Sequence, residues 1–193
     1  MIAHHLVFGA YGFWLPNDPR GSWSDFVGAW ELFRHGGKAT KTTETRSLAA
    51  VRHDSRARLA AKELLKRPAV LFNQQQIESI AAGFADYARR SKLVILACAI
   101  LADHVHLVTA RHRLDAHQLV IQLKAAATRQ LVKLGVHPFP GEIPRPKCFA
   151  RGEWDVFLDT ADDVERAICY VENNPEKEGL PRQHWDFVTP PGH

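Results

Sequence analysis

Over residues 4–14 the chain alternates: Leu6, Phe8 and Ala10 fall on one face, and His5, Val7, Gly9 and Tyr11 on the other. That is the two-residue repeat of a β-strand. The turn formers between Pro16 and Gly21 end it. Residues 25–33 suit a short helix before the Gly36-Gly37 break, and the polar, Thr-rich stretch 38–47 reads as a mobile loop. Asp54 or Ser55 can cap a helix running to about Leu65, which Pro68 terminates. A longer helix is predicted over 73–90, capped by Asn73, with Ile77, Ile80, Phe84 and Tyr87 in one stripe.

The aliphatic run 93–101 suits a central strand. Ala102-Asp103 then links it tightly to a second strand beginning at His104, and the two are expected to pair as an antiparallel hairpin. Val120, Leu123, Ala127, Leu131 and Leu134 recur at intervals of three and four, predicting a helix over 115–134 that Gly135 and a proline-rich connection terminate. Residues 148–159 read as a strand or hairpin broken at Gly152. Thr160 and Asp163 form a capping-box start for a helix over 161–174. Its core stripe is Val164, Ile168 and Val171, with Ala167 at the margin, while Asp163, Arg166, Tyr170 and Asn174 share another face. Tyr170 is therefore off the core stripe. The order strand, helix, strand, strand, helix, strand, helix predicts an α+β fold, an antiparallel sheet with helices mainly on one face.

Composition narrows the class. A chain of 193 residues with 46% hydrophobic content is expected to fold as one domain spanning 1–193. Cys98, Cys148 and Cys169 are odd in number and widely spaced, which argues against a disulfide framework and a structural zinc site and fits a reducing cytoplasm. No signal peptide or membrane-length apolar stretch is present, so a soluble protein without membrane partners is expected. Net charge is +4, but residues 34–67 carry ten basic side chains against three acidic ones, a local +7 that leaves −3 for the rest. Such a basic insertion suits phosphate binding, and equally a solvated loop and helix face.

The candidate chemistry centres on His104-Val105-His106. On a strand the two imidazoles project to one side about 7 Å apart, while Val105 and Leu107 project to the other. They read either as two ligands of one metal ion or as surface or hydrogen-bonded histidines. His4 and His5, on a neighbouring strand, read as supports to that pair or as surface residues.

Asp103-His104-Val105-His106-Leu107-Val108 resembles the His-hydrophobic-His signature of the HUH single-tyrosine transposases. Tyr170 through Asn174-Pro175 to Gly179-Leu180 is similar to their nucleophile helix, and the opening from Val7 to Ser22 resembles a first strand and loop of the group. Within it, the REP-associated tyrosine transposases are the nearest in pattern. The resemblance implies a ferredoxin- or RRM-like core and a metal-dependent single-strand DNA endonuclease and strand transferase. Tyr170 would be the nucleophile forming a 5′-phosphotyrosine, and His104 and His106 the ligands of Mg²⁺ or Mn²⁺. Asn174 stands one helical turn from Tyr170 and is the candidate third ligand, or alternatively a cap for the following helix.

Single-stranded or palindromic hairpin DNA is the implied partner, with the protein a monomer or homodimer. Arg20, Lys124, Arg129 and Arg151 are candidates to track its backbone, the 34–67 insertion to contact duplex or hairpin, and Trp14, Trp23, Trp30 and Trp154 to stack on bases or to pack in the core. Two rivals stand beside this reading. One is a catalytically inactive DNA- or RNA-binding module of the same fold, and the other is a phosphoesterase that uses water in place of Tyr170. Asp103 before the histidines and Glu172-Asn173 before Asn174 depart from the family pattern.

Overall fold

A computed structural model describes residues 1–22, 24–42 and 51–189. Trp23 and part of the basic insertion, residues 43–50, lie outside the described residues. The elements are β1 (Ala3–Gly9), α1 (Trp30–Gly36), α2 (Ser55–Glu63), α3 (Gln74–Ser91), β2 (Ile95–Ile100), β3 (His104–Ala110), α4 (Ala116–Lys133), β4 (Trp154–Leu158), α5 (Ala161–Glu172) and α6 (Asn174–Lys177).

The four strands form one sheet in the order β2-β3-β1-β4, antiparallel throughout. With α3 joining β1 to β2 and α4 joining β3 to β4, this is the split βαβ topology of the ferredoxin-like fold. Helices α3, α4 and α5 start where the sequence predicts because each N-terminus carries a reciprocal capping box: Asn73 with Gln76, Asp115 with Gln118, Thr160 with Asp163. Each box satisfies backbone N–H groups that a first helical turn leaves without partners.

The two sheet faces bury different partners. Leu6, Phe8, Val105, Leu107, Cys98 and Ile100 point to one side, where they meet Ile77, Ile80 and Phe84 of α3 and Leu119, Leu123 and Leu131 of α4. The two long helices approach closely because α3 carries a glycine at their contact: a Cβ on Gly83 would lie 2.8 Å from the Cα of Ala127. On the other side Ala3, Ala97, Ala99, Val108 and Leu158 pack against the α5 stripe of Val164, Ala167, Ile168 and Val171. This second face carries helix α5 and three histidines, His5, His104 and His106. A smaller cluster of Leu15, Leu32 and Ala61 seats α1 and α2 beside the end of β1.

Three boundaries differ from the sequence reading. Strand β1 ends at Gly9, not near Trp14, because Gly12 takes φ of +81° and turns the chain. Helix α1 begins at Trp30, five residues after Asp25. The final helix stops at Glu172, and Asn173 leads into the separate one-turn α6, which carries Pro175 in its first turn. Among the described residues no helix is long and apolar enough to cross a membrane.

Candidate active site

Strand register sets the site. In β3, His104 pairs with Gly9 and His106 with Val7 of β1, while Ala99 of β2 stands on the other side of His106. Residues paired across antiparallel strands share a face, so both histidines rise from the α5 side of the sheet. His104 and His106 bring their ring centroids to 4.9 Å.

Each ring is held through its Nδ1. His104 Nδ1–H donates to the Asp103 carboxylate at 2.7 Å, and Phe13 lies flat on the same imidazole, 4.6 Å between centroids and 12° between planes. Gly9 makes that stack possible, because a Cβ there would sit 2.7 Å from a Phe13 ring carbon. His106 Nδ1 is 3.1 Å from His5 Nε2. In the tautomer that leaves the His106 Nε2 lone pair available, Nδ1–H donates to His5. Burial pushes His5 down to about 4. His106 is held well below the usual histidine range by burial first, then by the neighbouring His104, His5 and Lys177. Near neutral pH both imidazoles are therefore uncharged, the form that coordinates a metal.

Helix α5 delivers Tyr170 to this cluster. Its ring centroid lies 5.6 Å from that of His106 and 5.7 Å from that of His5, edge-on to both. The side chain is 39% exposed, so the phenol is reachable from solvent. Asn174 is buried at the start of α6, where its Nδ2 donates to the Tyr170 carbonyl at 3.4 Å. The cap of α6 falls on Asn173, which makes no side-chain capping bond, so Asn174 does not cap that helix. Lys177 on the same turn sets its ammonium 4.3 Å from the Tyr170 ring centroid.

The donor set fits a divalent ion in part. His104 and His106 stand on one rigid strand, each oriented through its Nδ1 by a partner, the arrangement that metal-binding histidines adopt. Among the described residues no three or more His, Cys, Asp or Glu side chains are arranged so that they could hold a metal ion between them. A third protein ligand would therefore come from an amide or a backbone oxygen.

The candidate DNA contacts divide. Arg129 and Arg151 are exposed. Arg20 binds the Asp18 carboxylate through Nε and Nη2, each at 2.8 Å, and its guanidinium lies 3.7 Å over the Trp14 ring. Lys124 donates to the carbonyls of Ala150 at 3.0 Å and Gly152 at 2.6 Å, and burial pushes it down to about 8. Both cations are engaged in holding loops. Trp14 donates to the Gly21 carbonyl. Trp30 is 65% exposed and stacks on Phe33. Trp154 pairs with Val7, which places it on the histidine face at the β4 edge. His4, one residue before His5, binds Asp155 at 2.8 Å.

Sequence reasoning did not find Phe13, Lys177 or the orienting role of Asp103. The only available signal was Asp103 standing next to His104. Phe13 and Lys177 carry none, since each reaches its partner through a turn.

Solved structures similar to this chain include the following two. One is a REP-associated tyrosine transposase bound to a REP hairpin, with 13% identity, a TM-score of 0.48, and coverage of 96% of this chain and 74% of that one. The other is a candidate transposase from Deinococcus radiodurans R1, with 12% identity, a TM-score of 0.41, and coverage of 89% of each chain. No protein-family profile matches the chain, and no curated protein matches it.

Proposed function

We propose that this protein is a metal-dependent single-strand DNA endonuclease and strand transferase that works through a phosphotyrosine, on single-stranded or hairpin DNA. The observation that carries the reading is that Tyr170, from the last long helix, stands with its ring 5.6 Å from His106, while His106 and His104 form a pair of imidazoles each oriented through its Nδ1.

His104 and His106 would hold Mg²⁺ or Mn²⁺, with Asn174 the candidate for an oxygen ligand. A divalent ion there supplies charge neutralisation at a non-bridging phosphate oxygen. Asp103 and His5 keep the two imidazoles in the tautomer and orientation that coordination needs. Tyr170 Oη attacks phosphorus. The Oη–P bond forms, the P–O3′ bond breaks, the phenol proton passes to solvent, and the departing 3′ oxygen takes one up as a hydroxyl. The 5′ end stays on Tyr170. Attack by a 3′-hydroxyl reverses the step and needs no external energy source, because the phosphotyrosine retains the bond energy. The basic insertion, with Arg129 and Arg151, supplies contacts to the backbone of the flanking DNA.

The test is incubation with labelled single-stranded and hairpin oligonucleotides in Mn²⁺, resolved on a denaturing gel. Wild type gives a protein-linked band, and Tyr170→Phe abolishes it while leaving hairpin binding nearly intact. Adducts that persist in that variant would exclude Tyr170 as nucleophile. One rival is a binding module that retains the fold without the chemistry. That rival predicts hairpin binding with no Mn²⁺-dependent cleavage. A phosphoesterase using water predicts cleavage without an adduct.

A further inference from the structure

Lys177 has no role in the chemistry described so far. It lies on the exposed side of α6, the one-turn helix that follows the break at Asn173. Two backbone bonds, Gly179 N–H to the Glu176 carbonyl and Leu180 N–H to the Pro175 carbonyl, close the turn behind it. Gly179 permits this closure by taking φ of +72°. The exposed lysine lies over the Tyr170 ring.

Its charge is uncompensated. Arg182, five residues on, bridges to Glu176 and donates to Asn173, whereas among the described residues no carboxylate pairs with Lys177. Its ammonium rests on the face of the Tyr170 ring at 4.3 Å, and its field reaches His106, where it disfavours the imidazolium. The carboxylate nearest in sequence to the histidines, Asp103, is bound to His104. The rings of His5, His106 and Tyr170 thus cluster together beside the Lys177 ammonium. An aromatic face is a weak resting place for an ammonium, and a phosphate oxygen is a stronger partner.

We propose that Lys177 is the protein's own phosphate clamp: on DNA binding its ammonium leaves the Tyr170 ring and grips a non-bridging oxygen of the phosphodiester presented to Tyr170 and His106. The proposal rests on the phosphoryl-transfer reading of that site. It adds a binding subsite for one phosphate, contributed by α6 and independent of any metal.

The experiment measures equilibrium binding of a fluorescent single-stranded oligonucleotide at several NaCl concentrations, with EDTA present and in the Tyr170→Phe background, so that neither metal nor cleavage intervenes. Lys177→Gln in that background should weaken binding several-fold near 0.1 M salt and reduce the slope of log K against log salt by about 0.7, the contribution of one single-strand phosphate contact. Lys177→Arg should restore the slope. In the otherwise wild-type protein, Lys177→Gln should also slow single-turnover adduct formation at least ten-fold, with Lys177→Arg intermediate. A Lys177→Gln protein with an unchanged salt slope overturns the proposal, whatever its adduct yield. If wild type forms no adduct at all, the phosphotyrosine reading fails, while the salt slope still decides whether Lys177 holds a phosphate.

Discussion

The burial that holds His5 and His106 below the usual histidine range predicts how the metal-free fold responds to acid. In the unfolded chain His5 takes up a proton below about 6.5, whereas in the folded protein burial delays this to about 4. Between those values the unfolded state binds the additional proton, so stability falls as pH drops from 6.5 to 4 and this residue causes no further loss below that. At about 1.36 kcal/mol per pH unit, His5 accounts for a loss of about 3 kcal/mol. His106 is shifted in the same direction and adds to it. Urea unfolding with EDTA at about pH 7, 6, 5 and 4 measures the loss. Comparison with His5→Gln isolates the His5 part, since glutamine offers His106 Nδ1 an acceptor but has no titration of its own. Wild type should lose about 3 kcal/mol more than the variant over that interval. Equal losses in the two proteins would refute burial as the force that keeps His5 uncharged.

Two further predictions concern the frame around the site. Arg20→Ala would leave the Asp18 carboxylate, 1% exposed, without its bidentate partner, and should cost about 3–5 kcal/mol in urea unfolding, with Arg20→Lys losing less because it retains the charge. Gly83→Ala would drive a methyl to within 2.8–2.9 Å of the Ala126 and Ala127 backbone, forcing α3 and α4 apart at a cost of about 1–3 kcal/mol, read as a lowered Tm.

What the sequence made legible follows from how local each signal is. The stripes and caps of α3, α4 and α5 lie within single segments and predict those helices closely. The same reasoning separates Tyr170 from Val164, Ile168 and Val171, and so exposes it as a candidate nucleophile. The apolar hairpin before and after Asp103 gave the strand pair and the shared face of His104 and His106. The sequence says less where a side chain's surroundings depend on how the fold turns. Arg20 and Lys124 register in sequence only as positive charge, but Asp18, Trp14 and two carbonyls engage them. The aromatic run after Gly9 reads as continued strand, yet the turn at Gly12 sends Phe13 back onto His104. Lys177 is seven residues from Tyr170, and only the break at Asn173 brings it over that ring.

The central claim is that Tyr170 acts as nucleophile beside the His104–His106 pair. The most direct measurement is mass mapping of the DNA-linked peptide after reaction of wild-type protein with a single-stranded hairpin oligonucleotide and Mn²⁺. The account predicts one nucleotide-bearing peptide containing Tyr170, absent in His106→Ala. A linkage at Tyr11 or Tyr87, or Mn²⁺-dependent cleavage with no linked peptide, would contradict it.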